Sequence, residues 1–142
     1  MNSMRMNVVI VLLVASSAAF SQDGMLSVTG FGTVDPGAFA TKSQGRMMAL
    51  RAAQVDAQRQ LAENIKGVEL TGGTTVEEYE VTSDLIATRV RGLIRGAFVL
   101  EKEVNEEANT LVAEVQMAIC LDNRADVCKE RETLQNIIDK VQ

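Results

Sequence analysis

The sequence predicts an α+β domain: an antiparallel sheet with one long alanine-rich helix packed across it and two shorter helices. Three observations predict it. Residues 45–68, GRMMALRAAQVDAQRQLAENIKGV, put Ala49, Ala53, Ala57, Leu61 and Ile65 at helical spacing, a stripe widened by Leu50 and Val68. Residues 110–120, TLVAEVQMAIC, alternate with a period of two, as an antiparallel strand with one buried face does. Residues 25–34, MLSVTGFGTV, alternate likewise and set Gly30 and Gly32 on the face shared by Leu26 and Val28. Glycines on a strand face let a small-residue helix come close, and the alanine stripe belongs to such a helix.

Size and composition fit one globular domain. The chain has 142 residues, 46% hydrophobic and 23% charged, enough apolar surface for a core of its own. Its formal charge is −5 with no basic cluster, which speaks against nucleic acid as a partner.

The first 21 residues read as a signal peptide. Arg5 gives a positive start, residues 8–14 (VVIVLLV) a short apolar core, and residues 15–21 (ASSAAFS) small residues before a cleavage point ahead of Gln22. The apolar run is short for a bilayer span. The first cysteine is Cys120, so no direct lipid anchor is expected. Residues 22–142 are expected to form a single exported domain in the periplasm. Export favours a disulfide between Cys120 and Cys128, closing a loop of about nine residues and adding about 2–3 kcal/mol. Two thiolates without histidine do not complete a zinc site, and the spacing is not that of a C-x-x-C oxidoreductase.

The remaining elements follow in order. Gly30-Phe31-Gly32 is a G-x-G, but the third glycine of a dinucleotide loop is replaced by Asp35, so close packing is the better reading. Asp35-Pro36-Gly37 makes a turn, Ser43 caps the long helix, residues 46–66 are its body, and Gly67 ends it. Residues 68–80 read as extended, with Gly72-Gly73 as a turn or bulge. Thr82 or Ser83 caps a second helix with Leu85, Ile86, Val90 and Leu93 on its apolar side. Its Arg89, Arg91 and Arg95 form a solvated basic side, favourable near a helix C-terminus. A hairpin joins residues 97–104 to residues 110–120 through a polar turn at 105–109. Glu101, Glu103, Glu106 and Glu107 gather near its tip without the regular spacing of a calcium loop. Asp126 caps a last helix running to Val141, with Val127, Leu134, Ile137, Ile138 and Val141 as its stripe.

Chemistry is sparse. With no histidine there is no Ser-His-Asp or Cys-His pair and no imidazole ligand, and no lysine stands in an S-x-x-K motif. Aromatic content of 4% is thin for stacking on sugars or bases. The expectation is a protein that is not an enzyme, with no catalytic, cofactor-binding or metal-binding residues.

Four segments carry a family resemblance: residues 49–70 (ALRAAQVDAQRQLAENIKGVEL), 74–81 (TTVEEYEV), 91–104 (RGLIRGAFVLEKEV) and 111–119 (LVAEVQMAI). Together they resemble the LPP20 family, which includes FlgP-like flagellar outer-membrane proteins and is related to the FlgT N-terminal domain. The alanine-rich R-A-A-x-x-D-A-x-x-x-L-A-E segment is the most telling part. The resemblance implies an α+β domain and a role in oligomeric envelope structures, especially rings or disks around the flagellar motor at the outer membrane. It implies no catalytic residues. The chain departs from the lipoprotein members in lacking the lipobox cysteine, so a protein partner would have to hold it at the membrane. A shorter start, residues 26–38 (LSVTGFGTVDPGA), is similar to SIMPL-domain proteins and implies a periplasmic binding or stress-response module as the alternative.

The expected function is therefore a non-enzymatic, exported structural or assembly protein of the bacterial envelope, a homo-oligomer with flagellar or outer-membrane partners. Expected subunit contacts are Phe98 and Leu100 on the hairpin edge and Leu134, Ile138 and Val141 on the last helix. On that expectation, deleting residues 130–142 weakens assembly and leaves the core folded.

Overall fold

Strand alternation and the alanine stripe dictate a two-layer arrangement, and the computed structural model has it over the residues it describes, 20–70 and 72–141. The expected signal peptide lies outside these residues as far as residue 19. Phe20–Gln22 forms a short strand, β1, paired antiparallel with β2 (Met25–Val34) through a turn at Asp23 and Gly24, both with positive φ. The long helix α1 (Lys42–Ile65) follows, then α2 (Val76–Thr82), α3 (Asp84–Arg95), β3 (Phe98–Glu107), β4 (Thr110–Cys120) and α4 (Leu134–Asp139). The sheet is antiparallel in the order β1-β2-β4-β3. Three of its four strands are long, and β4, the last in sequence and the most buried, lies between the other two.

The core lies between the helices and one face of the sheet. From β2 come Leu26 and Val28, from β4 Leu111, Ala113, Val115, Met117 and Ile119, and from α1 the whole stripe from Ala49 to Ile65. Gly30 pairs with Val115 and Gly32 with Ala113, so both glycines stand at mid-sheet where α1 crosses. A Cβ on Gly30 would stand 2.8 Å from the Ala57 Cβ and closer still to the Ala53 and Ala57 backbone. On Gly32 it would meet the Ala53 nitrogen at 2.6 Å and the Ala52 Cβ at 2.8 Å. Small residues on both partners therefore let backbone meet backbone, the packing expected of Ala49, Ala53, Ala57, Leu61, Ile65, Gly30 and Gly32.

Several expected boundaries are corrected. Thr41, not Ser43, caps α1, accepting from the Gln44 amide at 3.2 Å, and the helix begins at Lys42. Residues 68–80 are not simply extended. Glu69 and Thr75 form an isolated bridge around Gly72 and Gly73, both with positive φ, and α2 then starts at Val76. A full capping box opens it: Thr75 accepts from the Glu78 amide, and Glu78 accepts from the Thr75 amide at 2.7 Å. The described residues thus hold three shorter helices rather than two. Ser83 caps α3.

The hairpin turn is only two residues, Ala108 and Asn109, and the strands run on to Glu107 and Thr110. Asp126 does not cap a helix reaching Val141. Residues Asp126–Cys128 make a single 3-10 turn without a side-chain cap, and α4 begins six residues later behind Thr133. Val127 is exposed, whereas Leu134, Ile137 and Ile138 are buried in the main core. Removing residues 130–142 would open that core, which corrects the expectation that the deletion leaves the core folded.

Candidate functional site

The two edges of the sheet are treated differently, and this follows from where α1 lies. Beyond β1, the outward backbone groups of β2 are bonded by side chains of α1. The Phe31 amide donates to Asp56 Oδ2 at 3.0 Å, and Gln60 Nε2 donates to the Thr29 carbonyl at 2.9 Å and to Asp56 at 2.8 Å. Arg59 holds Asp56 from the other side at 2.8 Å and reaches Glu63 at 2.7 Å. This network closes the β2 edge against further pairing.

The Phe31 amide, then the Arg59 guanidinium, hold the Asp56 carboxyl below its usual range. A lowered folded-state pKa stabilises above the unfolded value, near 3.9, and that contribution disappears as pH falls through the folded value. Asp56→Asn is expected to lose about 1 kcal/mol at pH 7, with the gap to wild type closing in acid below pH ~4. Urea unfolding at both pH values checks it. Asp122, also lowered, by Arg124, titrates in both proteins and cancels in the difference.

The opposite edge, β3, is less protected. Its residues are exposed or half-buried along the whole length. Arg46 donates to the Val104 carbonyl at 3.3 Å and Lys42 pairs with Glu106, so α1 reaches only the hairpin end of this strand. A bulge at Leu100 breaks the register between Val99 and Glu101. Val99 and Leu100 are exposed there.

The sheet face turned away from α1 is polar and acidic. Phe31, Glu114 and Glu103 lie in one row across β2, β4 and β3, and Thr29, Gln116 and Glu101 in the next. Glu101, Glu103, Glu114, Gln116 and Thr29 line a shallow depression of about 190 Å³. Glu106 and Glu107, expected in the same acidic group, lie farther along β3 toward the turn, with Glu106 engaged by Lys42. The sequence reading missed Asp56 and Gln60, and it did not set Glu114 opposite Glu103. Asp56 and Gln60 were signalled only by their four-residue spacing beside the alanine stripe.

Cys120 and Cys128 are joined in a disulfide, Cα to Cα 5.7 Å, with both residues buried. Arg131 stacks over the Phe98 ring at 4.3 Å, and the two line a groove of about 310 Å³ with Gly92, Gly96 and Glu132. Of the expected subunit contacts, Leu100 is exposed, Phe98 lies half-buried under Arg131, and Val141 is half-buried against the core. Leu134 and Ile138 face inward and are not available to a neighbour. Among the described residues no group of three or more acidic or cysteine side chains is placed to hold a metal ion, and no helix is long and apolar enough to cross a membrane. At Gly30 and Gly32 the helix and sheet leave no space for a small molecule between them. No family model, curated protein or solved structure matches the chain.

Proposed function

We propose that this chain is a non-enzymatic structural or assembly protein of the bacterial envelope, exported to the periplasm and self-associating. The setting implied by the LPP20 resemblance is a flagellar outer-membrane ring or disk. One observation carries the self-association: large apolar side chains are spent on the surface rather than in a ligand pocket. Met47 is 56% exposed and Val55 66% on α1, Phe31 54% on β2, with Val99 and Leu100 on the β3 bulge. On α1 Met47, Met48 and Val55 stand close together, and a contiguous exposed apolar patch marks a surface that another protein covers. The SIMPL-like binding module asks for a pocket between helix and sheet, and the contact of α1 with Gly30 and Gly32 works against it.

Light scattering on residues 22–142 over a concentration series tests the proposal. Discrete oligomers are expected, and a monomer at every concentration refutes self-association. For the setting, a tagged chain is expected to co-sediment with flagellar basal bodies. Sedimentation with outer membrane alone would remove the flagellar clause.

A further inference from the structure

We infer that copies of this chain stack head to tail, the outer face of α1 in one copy seating on the open acidic face of the sheet in the next. The inference rests on the self-association proposed above and names its two surfaces.

On α1, Met47, Arg51, Val55 and Arg59 follow one another at four-residue spacing, a single line on the side away from the buried stripe. Met48 and Ala52 lie beside that line, and with Arg51, Val55, Asp56 and Arg59 they line a largely apolar depression. Arg51 has no ion pair or hydrogen bond among the described residues, and Arg59 only the two carboxylates of its own helix. Asp56 and Glu63 offset the charge of Arg59, so the surface is apolar with one cation, Arg51, unpaired among the described residues at its middle.

The open sheet face has the opposite character. Glu103 stands directly opposite Glu114 on the adjacent strand, and Glu101 is the next residue along on the same face. Like charges set directly opposite each other destabilise a sheet. No cation among the described residues pairs with Glu101, Glu103 or Glu114. Lys102 lies between Glu101 and Glu103 and, by alternation, points to the other side of the sheet. A protein that tolerates this repulsion in the isolated chain gains when a positive surface covers it. Phe31, exposed in the row of Glu114, offers apolar contact to Met48 and Val55.

Geometry then fixes the mode. The two surfaces lie on opposite sides of a two-layer domain, so no single contact uses both surfaces of both copies. Each addition leaves one free surface of each kind, which repeats into a ring or a filament. Symmetric contacts serve these charges less well: sheet against sheet sets glutamates against glutamates, and helix against helix leaves Glu101, Glu103 and Glu114 uncovered.

Two charge reversals test it. Arg51 and Glu114 are both exposed, and Glu114→Lys relieves the opposition to Glu103, so folding of the monomer is not threatened. Under conditions where wild type assembles, Arg51→Glu alone and Glu114→Lys alone are each expected to weaken assembly at least tenfold. An equimolar mixture of the two is expected to regain the wild-type mass, because alternating copies set the two reversed charges against each other at one contact and keep Arg51 against Glu114 at the next. Circular dichroism confirms that each variant is folded. Single variants that assemble as wild type does, or a mixture that stays dissociated, overturn the stacking inference while self-association stands. A wild-type protein that never assembles overturns self-association itself.

Discussion

Gly30→Ala is expected to destabilise the domain by about 3 kcal/mol, and Gly30→Val to abolish folding. The argument is steric and local. A Cβ at Gly30 lands on the Ala53 carbonyl and the Ala57 amide nitrogen, which are helix backbone and cannot swing aside as a flexible side chain can. The only relief is to lift α1 from β2, and α1 carries Ala49, Ala53, Ala57, Leu61 and Ile65 into the same core. Lifting it thins contacts along the full stripe, so the cost belongs at the upper end for overpacking. Gly92 is the control. It lies in α3 with nothing within 4 Å of its ideal Cβ, so Gly92→Ala is expected to stabilise by about 0.5–1 kcal/mol through helix propensity. Denaturant midpoints of the two alanine variants should therefore move in opposite directions. A Gly30→Ala protein as stable as wild type would mean that α1 does not pack this closely on β2.

Legibility followed the strength of each periodic signal. The α1 stripe and the β2 glycines were readable because both sides of the contact are written in residue size, alanine on one element and glycine on the other. The β4 face was readable from strict alternation. The hairpin register was not, because a two-residue turn of this kind needs positive φ at both positions and usually announces itself with Asn-Gly or Asp-Gly. Here the first position is Ala108, at φ 46°, followed by Asn109 at 62°. An alanine there hides the turn at a cost of about 1 kcal/mol, and the loop then reads as the five residues 105–109. That error in turn length conceals that Glu103 faces Glu114, the feature on which the acidic surface depends. The missed helix α2 is a different case. Thr75-Val76-Glu77-Glu78 does carry a capping-box pattern, but the paired glycines and alternating residues just before it outweighed seven residues of helix. The last helix was legible from the spacing of Leu134, Ile137, Ile138 and Val141, but its start was misread because the course of the residues before it is set by the disulfide, which no local periodicity encodes.

Removing the Cys120–Cys128 bridge is expected to cost about 2.5 kcal/mol, the loop-closure entropy of a nine-residue ring. For a domain of this size that is a fall in Tm of about 8–15 °C. The bridge matters beyond its entropy because of what lies inside it and just after it. Cys120 ends the central strand, and Cys128 ends a single 3-10 turn that has no side-chain cap and exposed residues on either side. Such a turn has almost no stability of its own. Its position depends on the buried sulfurs and, three residues on, on Arg131 over the Phe98 ring. The six-residue α4 is likewise too short to persist alone, but it is held independently by Leu134, Ile137 and Ile138 in the core. Loss of the bridge should therefore loosen residues 123–131 first, between the Gly24 bonds of Leu121 and Asp122 and the buried cap Thr133, leave α4 seated, and free the covering over Phe98 at the β3 edge. The Cys120→Ala, Cys128→Ala double variant tests this without burying new polar groups, as serine would. Hydrogen exchange should quicken between residues 123 and 131 and change elsewhere only by the global loss. Reductant should lower the Tm of wild type to that of the variant and leave the variant unmoved. If wild type with both thiols confirmed free melts where the oxidised protein does, the segment is held by packing alone, and the bridge follows the fold rather than supporting it.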